Sequence, residues 1–134
     1  MIEEPGSAAR YTLGLGCERG CDPAELRSLA ESVLHAAAAE PRDLAGIYSL
    51  DARADEPAMV ALAALWQLPF LCFDAATLER ETPRLANPSR RVFELTGSHG
   101  VAEAAALAAA GPDGALVIGK TKSAHATAAL ARKR

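Results

Sequence analysis

Residues 11–23, YTLGLGCERGCDP, limit the possible folds more than any other stretch of the chain. The apolar residues 11–15 predict a buried strand, Gly14, Gly16 and Gly20 a tight turn, and Asp22-Pro23 a helix start. Aspartate is a favoured N-cap, and proline suits the first helical position because an N–H there has no intrahelical acceptor. Leu26, Leu29, Ala30, Val33, Leu34 and Ala37 then recur at helical spacing and define one apolar face. Strand, glycine turn and amphipathic helix together open an α/β unit.

The rest of the chain repeats that grammar. Residues 44–50 (LAGIYSL) predict a second strand, followed by the polar loop DARADEP, in which Asp55 can cap a helix carrying Pro57 in its first turn. Residues 58–66 are apolar nearly all round, which predicts a helix covered on both sides. Residues 69–73 (PFLCF) predict a third strand, and residues 77–81 a short helix. PRLANPS reads as a turn. The alternation of Val92 and Glu94 against Phe93 and Leu95 predicts a strand over 91–95, at an edge or half-exposed position. Residues 101–110 (VAEAAALAAA) predict a helix closed by Gly111-Pro112. Strands are expected at 115–118 and 126–131, and the link 119–125 is too short for a parallel crossover, so these two run antiparallel. The expected architecture is a three-layer α/β/α fold whose largely parallel sheet ends in an antiparallel C-terminal strand. One domain over 11–132 follows a loose tail, residues 1–10.

Composition narrows the function classes. The formal net charge of −3 speaks against a general nucleic-acid binder, which needs a basic surface for phosphates. No apolar run approaches the roughly 20 residues of a membrane span. The acidic N-terminus is unlike a signal peptide, and three cysteines suggest no disulfide framework. The expectation is a cytoplasmic protein. Only 4% of residues are aromatic and alanine dominates, so the helices must lie close to the sheet to bury enough surface.

In sheets of this kind ligands bind beyond the carboxyl ends of the parallel strands. Four loops are expected there: 16–20, 51–56, 96–100 and 119–122. The first is not a dinucleotide fingerprint. Its glycines leave GxGxxxG, and Asp51 lies 37 positions beyond Gly14, against the roughly 20 of that motif. Its glycines can instead let backbone N–H groups face an anion, with Arg19 adding charge and Gly16 and Gly20 giving access. Cys17 is either a small residue in a tight turn or a thiol activated by a helix start and Arg19, with His99 the available base. Cys72 reads as core, and His35 as exposed.

Asp51 ends a strand and is a candidate acid/base or ligand-binding group; His99 is the second. The DARADEP cluster of Asp51, Arg53, Asp55 and Glu56 reads equally as a structural network with Lys120 or Lys122. In TGSHG, Ser98 can cap the following helix, with Glu103 favourably placed against its dipole. Gly97, Ser98 and Gly100 can also form a carboxylate cradle. No spacing of cysteines and histidines suggests a protein-bound metal, and no cofactor is expected.

The segments GLGCERG (14–20), SLDARADEP (49–57), FELTGSHGVAEAAAL (93–107) and KTKSAHATAALAR (120–132), in this order, resemble the CobE family of cobalamin biosynthesis proteins. The same domain forms the C-terminal part of the longer CbiG proteins. The resemblance covers nearly all of residues 11–132. It implies a role in making the corrin ring, with a polycarboxylate corrinoid or precorrin intermediate as ligand and other enzymes of that pathway as partners. CbiG proteins open a lactone on the cobalt-containing intermediate. Nothing in the sequence resembles their separate N-terminal domain, so the resemblance carries a pathway more securely than a reaction. Combined with the predicted sheet edge, the expected ligand set is Gly16, Cys17, Arg19, Gly20, Asp51, Gly97, Ser98, His99, Gly100, Lys120 and Lys122. Three readings remain open: a binder that hands over its intermediate, a hydrolase or isomerase using Asp51 or His99, and an interaction module using the apolar face over 59–66.

Overall fold

The computed structural model describes residues 9–134, so the expected tail lies, over residues 1–8, outside the described residues. Strands β1 (Tyr11–Cys17), β2 (Leu44–Leu50), β3 (Phe70–Phe73), β4 (Ala115–Lys122) and β5 (Ala126–Arg132) form one sheet in the order β3-β2-β1-β5-β4. The first three are parallel; β5 is antiparallel to β1, and β4 to β5. Helices α1 (Pro23–Ala36) and α2 (Pro57–Trp66) connect the parallel strands. Helices α3 (Ala75–Glu79), α4 (Arg90–Thr96) and α5 (Val101–Ala110) then carry the chain from one edge of the sheet to the other. The expected α/β architecture, largely parallel with antiparallel C-terminal strands, is the observed one.

Alternation along β1 explains the layering. Leu13 and Leu15 join Leu26, Leu29, Val33, Ile47, Met59 and Leu62 in a core under α1 and α2. On the opposite face, Thr12 donates its hydroxyl to the Ala106 carbonyl of α5 at 2.7 Å. A Cβ on Gly14 would lie 1.9 Å from the Ala102 carbonyl oxygen and 2.8 Å from the Ala106 nitrogen. The expected turn glycine is therefore a strand residue whose missing side chain lets α5 lie directly on β1. Gly16 likewise belongs to the strand, and the turn begins at Glu18.

Several local expectations change. Residues 91–95 are helical, within α4. Ser89 Oγ accepts from the Val92 N–H, and Gly97, at φ +83°, closes the helix in the left-handed region that glycine favours. β4 runs on through Lys122, which leaves only Ser123, Ala124 and His125 as the link to β5. α2 begins after Glu56 rather than after an Asp55 cap. Glu56 is buried, and its carboxylate accepts from the Gly20 N–H at 3.1 Å. α2 also covers the sheet with one side only, since Val60, Ala61, Ala64 and Leu65 are exposed.

Candidate functional site

β1 is the place where the chain first moves toward one edge of the sheet and later returns on the other side, and its carboxyl end opens into a cleft of about 600 Å³. Such a point is the usual ligand position in open α/β sheets, and the volume suits a small-molecule site. The floor comes from Gly16 and Cys17 of β1 and the opening residues Gly100, Val101 and Ala102 of α5. Leu50, Ala52 and Arg53 follow from β2. Val92 and Leu95 of α4 form an apolar wall, and Leu95 is 72% exposed. Across from them the β4–β5 hairpin contributes Lys120, Lys122, Ser123 and His125.

The electrostatics of the cleft are lopsided. Arg91, Lys120 and Lys122 line it, and among the described residues none of their cationic groups has a carboxylate or hydrogen-bond partner. α5 starts at Gly100 without a side-chain cap, so among the described residues no side chain caps the N–H groups of its first turn. Arg53 is occupied: its Nε donates to the Cys17 carbonyl at 2.8 Å and pins the end of β1. Two carboxylates also line the cleft, the exposed Glu18 and Glu103, which is buried and saturated. Glu103 accepts from the N–H groups of Ala86 (3.1 Å), Asn87 (3.0 Å) and Lys120 (2.8 Å), and from Asn87 Nδ2 at 2.8 Å. Burial opposes its ionisation, but those hydrogen bonds outweigh burial and hold its pKa below the ordinary glutamate value.

Gly16, Cys17, Gly100, Lys120 and Lys122, of the residues expected from sequence, meet in this cleft. Cys17 is no activated thiol: burial first, then Cys21 and Glu56, push its pKa up to about 12. Arg19 and Gly20 line a neighbouring hollow of about 340 Å³ with Glu18, Asp22, Glu25 and His125. Arg19 is engaged there, donating to the Ala52 carbonyl at 2.7 Å and lying 3.6 Å from Asp55. The Gly20 N–H is taken by Glu56, so no anion cradle forms in that turn.

Asp51, Gly97, Ser98 and His99 do not line the cleft. Asp51 opens an exposed 3-10 turn, Asp51–Arg53. Gly97 serves as the C-terminal cap of α4. Ser98 is buried and its Oγ faces the Gly100 N–H at 3.4 Å; the cap of α5 is Gly100 itself. His99 is held as structure, with Nδ1 2.8 Å from Glu79 and its ring stacked on Phe93 at 4.4 Å. Neither proposed acid/base candidate reaches the cleft.

Over residues 11–131 the chain matches the protein family described as "Cobalamin synthesis G C-terminus". The chain belongs to this family. Protein CobE of a Sinorhizobium species is 54% identical over 125 residues, 93% of this chain and 81% of that protein. A cobalt-precorrin-5A hydrolase of Priestia megaterium is 28% identical over 119 residues; the match takes in 89% of this chain but only 31% of the hydrolase. The crystal structure of a CobE from the cobalamin biosynthetic pathway superposes with a TM-score of 0.87 at 36% identity, covering 94% of this chain and 92% of that one. The protein ChiG from Agrobacterium tumefaciens shares the fold, with a TM-score of 0.69 at 24% identity over 92% and 98% of the two chains. The protein is thus a member of the cobalamin biosynthesis pathway, as the resemblance in the sequence implied. No helix among the described residues is long and apolar enough to cross a membrane.

Several residues of the cleft escaped the reading of the sequence, the charged Arg91 and Glu103 among them. Arg91 was hidden by the strand expected over 91–95. Glu103 was taken for an ordinary first-turn acid, although it is the only charge in VAEAAALAAA. A lone carboxylate in an otherwise apolar helix was the available signal, because burying a charge demands partners elsewhere in the fold.

Proposed function

We propose that the cleft binds a polycarboxylate tetrapyrrole, a precorrin or corrinoid intermediate of cobalamin synthesis, and holds it for transfer to another enzyme of the pathway. The supporting observation is the pairing of three unpartnered cations, Arg91, Lys120 and Lys122, with an apolar wall formed by Leu50, Val92, Leu95 and Val101. A macrocycle rimmed with carboxylates has the same division, apolar on its faces and anionic at its edge. The uncapped start of α5 adds backbone donors suited to one carboxylate. Because the protein as a whole is acidic, selectivity for an anion must come from this local arrangement. The sequence alternative, proton transfer by Asp51 or His99, is weakened by their positions outside the cleft.

The test is incubation with a panel of corrinoid and precorrin polycarboxylates, followed by absorption spectra and mass measurement. A shifted spectrum at unchanged mass is the expected result. A new mass would establish an enzyme instead, and no response to any compound would remove the ligand from this cleft. Transfer is checked separately, by the protein's effect on the rate at which a later enzyme takes up the bound compound.

A further inference from the structure

We infer that Glu103 is a positioning residue of the cleft, whose buried carboxylate fixes the backbone of Lys120 so that the lysine's ammonium group meets an anionic ligand. This rests on the binding reading above and assigns a part in it to a residue that cannot serve as a ligand contact.

Glu103 is 1% exposed and lies in the first turn of α5. Its two oxygens already accept four hydrogen bonds, two on Oε1 from the Ala86 and Asn87 N–H groups and two on Oε2 from Asn87 Nδ2 and the Lys120 N–H. Four is about the full acceptor capacity of a carboxylate, so nothing remains for a ligand. A negative charge beside an anion-binding cleft also opposes the ligand. Its position is explained by what it joins: α5, the 86–87 segment leading to α4, and β4.

The junction with β4 falls at an irregularity. Pairing of β4 with β5 shifts register between Ile118 and Thr121, and Lys120 lies inside that shift. A bulge of this kind re-aims the side chains of its strand. The Lys120 N–H within it is held by Glu103 rather than left to solvent. Gly119 leaves the carboxylate its room, since a Cβ there would sit 3.2 Å from both Glu103 Oε2 and Asn87 Nδ2. One carboxylate thereby sets the geometry of the strand segment that carries the cleft's lysines.

Glu103→Gln tests this with little change of shape. The amide has one oxygen and one NH2 group. Its oxygen goes to the two backbone donors of Ala86 and Asn87, which cannot turn around. Its NH2 then faces the Asn87 side chain, which can flip to offer its own oxygen, and the Lys120 N–H loses its acceptor. The first measurement is residue-resolved amide exchange by NMR. Lys120 should exchange at least about tenfold faster in the variant, the loss of one hydrogen bond to a charged group, while Ala86 and Asn87 change little.

The second measurement is a spectral titration with uroporphyrin, a porphyrin bearing acetate and propionate groups. Glu103→Gln should weaken binding about fivefold in the wild-type and Lys122→Gln backgrounds, but less than about twofold in the Lys120→Gln background, because coupled residues are not additive. Equal losses in all three backgrounds, tighter binding on removal of the charge, or unchanged exchange at Lys120 would each overturn the role of Glu103 alone. Absence of binding by the wild-type protein would overturn the binding reading and this inference together.

Discussion

On one face of the sheet α1 and α2 bring leucine, valine and methionine against Leu13, Leu15 and Ile47. On the other, α5 brings Ala102, Ala105 and Ala106 against Thr12, Gly14 and Tyr48, and the spacing is set by backbone rather than side chains. The first face resists disruption through area removed from water. The second resists it through close fit, since alanines bury little area each and dispersion falls steeply with a small gap. The cleft belongs to the second face: a helix lying directly on β1 delivers its first turn to the end of that strand. Tight alanine–glycine packing is therefore what places the backbone donors, while the leucine face holds the domain together.

The comparison breaks most sharply at Gly14. Gly14→Ala puts a methyl group against two backbone positions of α5, which have no free rotamer with which to yield. Overpacking of a core typically costs about 1–3 kcal/mol, and contact with backbone places this case at about 3 kcal/mol or more. Urea unfolding should show that loss, and any folded remainder should bind uroporphyrin poorly because α5 has been pushed from β1. Leu26→Ala is the matching change on the other face, at a residue that is fully buried. It should cost about 3 kcal/mol through lost transfer energy and a cavity, yet leave affinity unchanged once the protein is folded. Normal affinity in a folded Gly14→Ala protein would dissolve the distinction between the two faces.

Charge sharpens the comparison at the cleft itself. Lys120→Gln or Lys122→Gln should each weaken binding of a carboxylate-rimmed tetrapyrrole roughly tenfold, about 1.4 kcal/mol, as expected for a partly desolvated contact. Lys133, beyond the last strand and exposed, is the control, and Lys133→Gln should stay within about twofold of wild type. Spectral titration at two salt concentrations checks both, with circular dichroism confirming the fold. Unchanged affinity in both cleft variants would move the ligand elsewhere.

Elements with sustained periodicity were legible in the sequence: β1, α1, β2, α2 and α5 lie where spacing placed them, although β1 runs on to Cys17 and the caps of α2 and α5 are Glu56 and Gly100 rather than Asp55 and Ser98. α4 was not, because seven residues are too few for a helical period to outweigh a chance alternation of Val92, Phe93, Glu94 and Leu95. Its ends carried the better information, a serine N-cap at Ser89 and a glycine stop at Gly97. The edge of the sheet was legible as the place of the cleft, since strand ends follow from strand order. Which side chains turn into it was not. His99 pairs with Glu79, twenty positions away, and Glu103 with the Lys120 backbone, seventeen away. Both pairings depend on tertiary contacts that no local pattern encodes.

The smallest expected effect lies at the hairpin that forms the cationic wall. Glu25 of α1 clips its turn, accepting from Ser123 Oγ at 2.5 Å and the His125 N–H at 2.7 Å, with His125 Nδ1 at 3.0 Å. The Ser123 hydroxyl, then the His125 side chain and N–H, lower the Glu25 pKa from 4.5 to about 2. Glu25, with a lesser contribution from Glu18, raises that of His125 above 6.5. A carboxylate depressed in the folded state gives its full stabilisation above 4.5 and loses it as pH falls toward 2. A histidine raised in the folded state gives its full stabilisation below 6.5 and loses it as pH rises through the raised value. The clip is therefore strongest between about pH 4.5 and 6.5. Thermal unfolding of wild type and Glu25→Gln across pH 3–9 should show the largest gap in Tm inside that window. Above it the gap should narrow without closing, because the bonds from Ser123 and the His125 backbone do not titrate there. Since His125 is exposed, solvent screens the pair and the gap should stay below that caused by Leu26→Ala. A gap independent of pH would reduce Glu25 to a neutral hydrogen-bond acceptor and leave the hairpin held by its strand pairing alone.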